Sequence, residues 1–188
     1  ESNLQNLLNQ LDTLHQTNEQ LQNKITELEL LLELNSYASQ RLNRQETLHA
    51  IQKLFVNTFK LDEYLLLLKT SSENELEISS YHGIMVNGRV WMDIKSKKNI
   101  LHDIVKNGQS VYLTELTEKQ HIEVLGFNGQ AGSLLSMPLI SEHESILGVI
   151  NLLRQGENAF EEYEIEFLQL MATHAAGVID KSILFHTT

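Results

Sequence analysis

The chain has 188 residues, of which 41% are hydrophobic, and 25 acidic residues against 14 basic ones give it a formal net charge of −11. It contains no cysteine, which excludes disulfides, cysteine-ligated zinc, iron–sulfur clusters, thiol nucleophiles and thioether-linked chromophores. The acidic balance argues against nucleic-acid binding, because clustered Lys and Arg hold the phosphate backbone. The basic run Lys95, Lys97 and Lys98 is interpreted as a solvated loop rather than a phosphate site.

No stretch of about 18 apolar residues occurs, so we expect no membrane contact within the chain and a cytoplasmic location. The sequence opens Glu1-Ser2-Asn3, without a Met or the pattern of a signal peptide. This start indicates a piece of a longer protein.

The first part of the chain has the heptad pattern of a coiled coil. A lone Asn at an a position favours two strands in register, and Lys24 at g can reach Glu29 at e of a second chain. Residues 1–42 are therefore predicted to form a parallel dimeric coiled coil; the alternative is an amphipathic helix that lies on its own domain. The a positions are Leu4, Leu11, Asn18, Ile25 and Leu32, and the d positions are Leu7, Leu14, Leu21, Leu28 and Asn35.

The elements after residue 42 alternate between helix and strand signals. Asn43 and Glu46 form a capping pair that predicts a helix to about Lys60. Strands are predicted over 64–69, 76–80, 110–113, 133–140 and 146–154, with a short helix from Ile100 that Gly108 ends. The polar, glycine-bearing residues 114–132 are interpreted as a mobile connection with at most one helical turn.

The last predicted helix, from about Phe160 to about Leu184, is apolar on two sides and therefore needs two partners. One partner is expected to be its own sheet, and the other the matching helix of a second subunit. The stripe assigned to the dimer contact is Leu168, Ala172, Ala175 and Ile179.

Four consecutive segments, 133–140, 146–152, 160–164 and 168–179, resemble the C-terminal half of a GAF domain. In that family a strand that ends in Pro-Leu, here Pro138-Leu139, leads through a polar hairpin to a Leu-Gly-Val strand, here 147–149. A Phe and acidic residues then begin the closing helix. With weaker matches before residue 133, the resemblance spans residues 36–185.

The resemblance implies an α+β fold, with a central antiparallel sheet of about six strands flanked by helices. The long coiled-coil helix of residues 1–42 would precede this sensory domain of residues 43–188. The resemblance also implies a regulatory module rather than an enzyme, placed before an output domain such as a diguanylate cyclase or histidine kinase. We expect no cofactor and no metal site, since the histidines lack metal-ligand spacing.

Three branches of the family can be compared with the residues of this chain. The chromophore-binding and methionine sulfoxide reductase branches work through cysteines, which this chain lacks. The cyclic-nucleotide branch has an Asn-Lys pair, a Phe and an Asp-Glu pair. Here Asn151 is followed by Leu152, Phe160 matches, and Glu164 is followed by Ile165, so half of that signature is present.

If the family architecture holds, a ligand cavity lies under residues 83–132. Trp91 and Phe127 can stack on a flat ligand and Arg89 or His121 can meet an anion, although each also has an ordinary structural interpretation. The candidate ligand-binding residues are Tyr81, Arg89, Trp91, His121, Phe127, Asn128 and Ser133. The sequence thus predicts a homodimeric module that senses a small molecule such as a cyclic nucleotide; the alternative is a dimerisation scaffold whose cavity is filled by its own side chains.

Overall fold

A computed structural model describes residues 2–96 and 99–186 of the chain. Lys97 and Lys98, two lysines of the basic run, lie outside the described residues. The elements in chain order are α1 (Ser2–Ser39), α2 (Arg44–Phe59), β1 (Glu63–Lys69), β2 (Glu75–His82), β3 (Trp91–Asp93), α3 (Ile100–Asn107), β4 (Val111–Leu116), α4 (Glu118–Leu125), β5 (Gly132–Ile140), β6 (Ile146–Arg154) and α5 (Glu162–His186).

The chain divides into two compact units, one up to Glu33 and one from Leu34 onward. The first unit is the helical rod of α1, which exposes its heptad residues. Within a single rod, Lys24 Nζ lies 2.9 Å from Glu27 Oε2. The predicted helix is confirmed, whereas its pairing with a second chain stays a prediction. Eight apolar a and d side chains are between 50% and 70% exposed: Leu4, Leu7, Leu11, Leu14, Leu21, Ile25, Leu28 and Leu32.

The second unit begins with the last turns of α1, where Leu34 is fully buried. Helix α2 then starts at the predicted cap: the Asn43 side chain accepts a hydrogen bond from the Glu46 backbone, and the Glu46 carboxylate accepts one from the Asn43 backbone. The helix ends at Lys60, whose φ of 52° is left-handed. Both ends therefore agree with the sequence prediction.

Six antiparallel strands form one sheet in the order β3-β2-β1-β6-β5-β4. The predicted α+β fold with a six-stranded antiparallel sheet is confirmed. The central strands β1, β5 and β6 are buried on both faces, which explains their nearly continuous apolar sequences.

Side chains alternate between two covered faces of this sheet. On the helix face, Tyr64 and neighbouring strand residues pack under α2 and α5, with Phe55 6.1 Å from the Tyr64 ring. On the opposite face, the lid face, the strands meet α3, α4 and the segments beside them. The sheet is thus the middle layer of three.

Helix α5 corrects the prediction for the dimer contact. Its assigned stripe, Leu168, Ala172, Ala175 and Ile179, is at most 2% exposed in a single chain. Helix α2 covers part of the other apolar side of α5, where the Phe59 and Phe167 rings lie 6.0 Å apart, while Leu170 stays 43% exposed. The assigned stripe is therefore covered within the chain itself, with α2 beside it, and contact of α5 with a second subunit stays a prediction.

The connection 114–132 also differs from its prediction. It holds the end of β4 and the two-turn helix α4, which begins with a capping box between Thr117 and Gln120 and ends at Gly126 in the left-handed region. A Thr three residues before a Gln is a recognised helix start, and the polar composition of the segment concealed it.

Candidate functional site

The lid face carries an apolar core covered by the lid, which we define as α4 and the loop to residue 131. Buried side chains fill the space where the family resemblance implies a cavity. This lid-side core consists of Leu65, Leu67, Leu76, Ile84, Val86, Met92, Ile94, Leu101, Ile104, Leu116, Leu125, Phe127, Leu134, Val149 and Leu153.

Three of the predicted site residues lie together, His121 and Phe127 in the lid and Arg89 against it. Phe127 is buried in the core, and the Arg89 guanidinium sits 4.6 Å from its ring centroid. Arg89 Nη1 also donates to the Gly126 carbonyl at 2.9 Å. His121 Nδ1 lies 2.8 Å from the Phe127 carbonyl oxygen. These contacts hold the lid against the core.

The other four predicted residues do not join that group. Trp91 is 57% exposed and pairs with Glu77, so its side chain is on the face opposite to Met92, which belongs to the lid-side core. Asn128 is exposed on the lid. Tyr81 lines an open groove of about 520 Å³ beside Asn43 and the start of α2.

Ser133, the last of the four, is fully buried and serves the backbone around it. Its Oγ lies 2.9 Å from the Thr114 carbonyl and 2.8 Å from the Gly156 carbonyl, and it accepts a hydrogen bond from the Ala159 amide. These contacts join the ends of β4, β5 and β6.

A buried polar pair that was not among the candidate ligand-binding residues lies beside the lid-side core. Asn151 alternates with Val149 and Leu153 on β6, so its side chain is on the lid face. Its Oδ1 accepts a hydrogen bond from Ser136 Oγ, while its Nδ2 has no partner although the residue is only 3% exposed. A single amide in an otherwise apolar strand is the signal that could have found it.

A second buried pair fastens the lid to the sheet. Glu63, the first residue of β1, is 4% exposed, and its Oε2 lies 2.8 Å from His121 Nε2. Its Oε1 accepts a hydrogen bond of 2.6 Å from the Gln130 amide. Burial lowers the pKa of His121, but the hydrogen bond and negative charge of Glu63 outweigh it, so that pKa is raised.

Arg154, at the end of β6, joins three elements and was also missed. It forms an ion pair with Glu164 of α5 at 2.7 Å, and it donates to the carbonyls of Ala159 and Phe59. Its guanidinium also lies 4.4 Å from the centroid of the Phe160 ring. Charged side chains at strand ends are common, so the sequence alone gave no reason to select it.

Within residues 2–96 and 99–186, no group of three or more His, Asp or Glu side chains could hold a metal ion. Across the same residues, none of the helices has the length and hydropathy needed to cross a membrane.

Comparison with known proteins finds the same architecture in GAF domains. The GAF domain model matches residues 43–179. The chain is similar to the GAF domain of an Acinetobacter phosphoenolpyruvate-protein phosphotransferase, with 16% identity, a TM-score of 0.65, and coverage of 85% of this chain and 95% of that one. No curated protein matches the sequence.

Two further solved structures are similar. The free methionine-R-sulfoxide reductase of Neisseria meningitidis has 14% identity and a TM-score of 0.69, with 85% of this chain and 91% of that one covered. A part of a methyl-accepting chemotaxis protein has 10% identity and a TM-score of 0.66, with 82% and 99% covered. Identities this low show a shared fold alone.

The three-layer fold and the family match define a regulatory or sensor module of the kind found in signalling proteins. The chain belongs to the GAF domain family.

Proposed function

We propose that this chain is a dimeric, non-enzymatic regulatory module of a signal-transduction protein, which senses a small molecule and relays the signal through its helices to an output domain elsewhere in that protein. The observation that carries the proposal is the row of eight exposed apolar a and d residues on α1. Burying a leucine side chain contributes about 1.5–3 kcal/mol, so a row of them in water favours association.

The partner that fits this row is a second copy of the same helix. The a and d spacing is that of a two-stranded coiled coil, and Asn18 finds an equal partner when two copies align in register. Lys24 and Glu29 occupy the g and e positions that pair across a parallel seam. The α5 stripe adds nothing to this interface, because the chain's own sheet and α2 cover it.

Small-molecule sensing is supported by Asn151. Its partnerless Nδ2 donor, within an apolar core and beside Ser136, offers a hydrogen bond to a ligand acceptor once the lid moves. A cyclic nucleotide is the alternative ligand class to test, because Asn151 and Phe160 match half of that branch's signature while Leu152 and Ile165 depart from it. The likeness to part of a chemotaxis protein supports a role in signalling.

A second candidate function is a dimerisation scaffold that binds no ligand. The filled lid-side core favours it, because fifteen buried apolar side chains occupy the space that a ligand would need. The two functions share the dimer and differ only in what the lid face does.

Native mass spectrometry of the purified chain tests both points in one spectrum. We expect a dimer, and the sensing function predicts an added mass that disappears when the protein is denatured. A dimer of twice the chain mass, which also fails to bind any of a panel of cyclic nucleotides, would favour the scaffold.

Matched variants distinguish loss of the a and d contacts of α1 from a general effect of added surface charge. Replacing Leu14 and Leu21 by Lys places charges at two d positions and should give a monomer. Replacing Gln16 and Asn23 by Lys adds the same charge at f positions, on the far side of the helix, and should leave the dimer intact. A wild-type monomer at micromolar concentration would contradict the proposal.

A further inference from the structure

We propose that the buried Glu63–His121 pair is a proton-dependent latch, which keeps the lid closed over the lid-side core while it holds one shared proton and releases the lid when that proton leaves. This inference requires neither the dimer nor a ligand. It rests on four groups in the described chain: the Glu63 carboxylate, the His121 ring, the Phe127 carbonyl and the Gln130 amide.

The hydrogen-bond partners fix how many protons the pair needs. The Phe127 carbonyl can only accept, so His121 Nδ1 carries a hydrogen and donates it over 2.8 Å. The other ring nitrogen, Nε2, faces a Glu63 carboxylate oxygen at 2.8 Å. One hydrogen must lie between these two atoms, either on the imidazole or on the carboxyl group.

If that hydrogen were lost, a lone pair on His121 Nε2 and one on the Glu63 carboxylate would face each other at hydrogen-bond distance, in a fully buried place. Neither group could turn to water, because His121 is 0% and Glu63 4% exposed. An unsatisfied buried charge of this kind is among the most costly arrangements in a protein interior. Opening the lid relieves it by giving both groups access to water.

The latch is positioned to control the whole lid. His121 belongs to α4, Phe127 and Gln130 belong to the loop that follows, and Glu63 is fixed at the start of central strand β1. The backbone of Gly129 packs against the His121 ring so closely that a Cβ there would overlap Nε2. Release of the pair would therefore loosen α4 and the loop together, above the core residues Leu125 and Phe127.

From the sheet, Glu63 is the charged side chain that acts on His121. From the loop, the Phe127 carbonyl accepts a hydrogen bond from the His121 ring. On α4 itself, Glu118, Lys119 and Glu123 are exposed to solvent, and next to Glu63 the Asp62 carboxylate accepts a hydrogen bond from the Gln155 amide instead. The proton balance of the latch is thus set by Glu63 and His121 alone among these groups.

The direction of the pH effect follows from the raised pKa of His121 in the closed state. A raised pKa means that the closed lid holds the proton more tightly than the open lid does. Its contribution to closure is complete below the ordinary histidine pKa and is lost as pH rises through the raised value. Between the two pKa values, the closing equilibrium falls by up to about tenfold per pH unit for one proton.

Hydrogen exchange measured by mass spectrometry tests the latch, from about pH 5.5 to about pH 9 and after correction for intrinsic exchange rates. We expect protection of residues 118–131 to fall by up to about tenfold per pH unit over part of this range, while β5 and β6 keep theirs. Lid protection that does not change with pH would overturn the proposal.

The variant Glu63→Gln separates the proton from the contact. Its side-chain oxygen can still accept from the Gln130 amide, while its NH₂ group donates to Nε2 of a neutral His121, so the lid should stay closed as pH rises above the ordinary histidine pKa. The control His143→Gln removes an exposed histidine and should keep the wild-type pH dependence. A lid that opens with pH as before in E63Q would contradict the latch.

A further measurement uses the unaltered chain, in case E63Q does not fold. Nitrogen-15 NMR of the imidazole rings reports which ring nitrogen of His121 carries hydrogen. We expect Nδ1 to carry hydrogen while the lid is closed, and the titration of His121 to accompany the loss of lid protection. An unprotonated Nδ1 in the closed lid, or a titration of His121 that leaves lid protection unchanged, would refute the proton-dependent latch.

Discussion

Among the buried side-chain atoms without a hydrogen-bond partner in the described chain, two belong to Tyr64 and Asn151, which lie on opposite faces of the sheet. The Tyr64 hydroxyl lies on the helix face and the Asn151 Nδ2 on the lid face. Tyr64 is 0% exposed, and burial raises the pKa of its hydroxyl, so it stays neutral. The tyrosine therefore contributes its ring to the core, where it contacts Phe55, while its hydroxyl remains unsatisfied.

Tyr64→Phe is expected to leave stability unchanged or to raise it by about 1 kcal/mol, because removal of an unsatisfied buried hydroxyl relieves a desolvation cost. Urea denaturation followed by circular dichroism measures the free energy of unfolding. Tyr112→Phe is the matched control, since the Tyr112 hydroxyl bonds Asn158 and the backbone of Phe160, and it should lower stability. A large loss of stability in Tyr64→Phe would mean that its hydroxyl has a partner after all.

Single residues also mark where sequence reasoning succeeds. Asn43 and Glu46 were identifiable because a capping box is a local interaction, complete within four residues. The face of the sheet on which the Trp91 side chain lies could not be predicted, because it depends on the pairing of β3 with β2, which only the folded sheet sets. The Glu63–His121 pair likewise joins residues 58 positions apart, and nothing local signals it.

At the scale of elements, α5 shows how a correct pattern can be given the wrong partner. The sequence requires two apolar contacts for this helix, and within one chain the sheet and α2 cover all of the assigned stripe and part of the other side. Periodicity gives the number of covered sides but not the identity of what covers them.

The junction of β6, α2 and α5 depends on Arg154. Its guanidinium pairs with Glu164, bonds the last carbonyl of α2 at Phe59, and stacks on Phe160. Charge-assisted bonds in a partly buried place are stronger than surface ion pairs, because water competes less for both partners. Arg154 thus fixes the two helices of the helix face to the end of a central strand.

Arg154→Ala is expected to destabilise the chain by about 2 kcal/mol or more, since it leaves Glu164 and two carbonyls without their donor. Arg41→Ala, at an exposed arginine between α1 and α2, should change stability by less than about 0.5 kcal/mol. Chemical denaturation of the two variants side by side gives the comparison. Equal effects would show that the Arg154 contacts contribute little.

For the whole molecule, five of the six strands and the helices other than α4 were predictable from local signals, and the family resemblance implied the six-stranded sheet. The state of the lid face was not predictable. Composition described 114–132 as polar and flexible, whereas long-range contacts of Arg89, His121 and Phe127 close it onto a filled core. Long-range packing, rather than local propensity, decides whether this face is open or closed.

The proposed function makes α1 the element that brings two regulatory units together, in parallel and in register. The chain contains no cysteine, so one introduced thiol reports unambiguously on its own copy. In a parallel two-stranded coil a d position faces the same d position of the partner, while an f position faces solvent on the far side.

Disulfide cross-linking of Leu14→Cys, with Gln16→Cys as its control, is therefore the most direct test. Under mild oxidation, the account predicts rapid and nearly complete formation of a covalent dimer by Leu14→Cys, which reducing agent reverses. Gln16→Cys should remain uncross-linked under the same conditions, since its two thiols are too far apart for a disulfide. Equal cross-linking of the two variants, or none in Leu14→Cys, would contradict a parallel, in-register dimer.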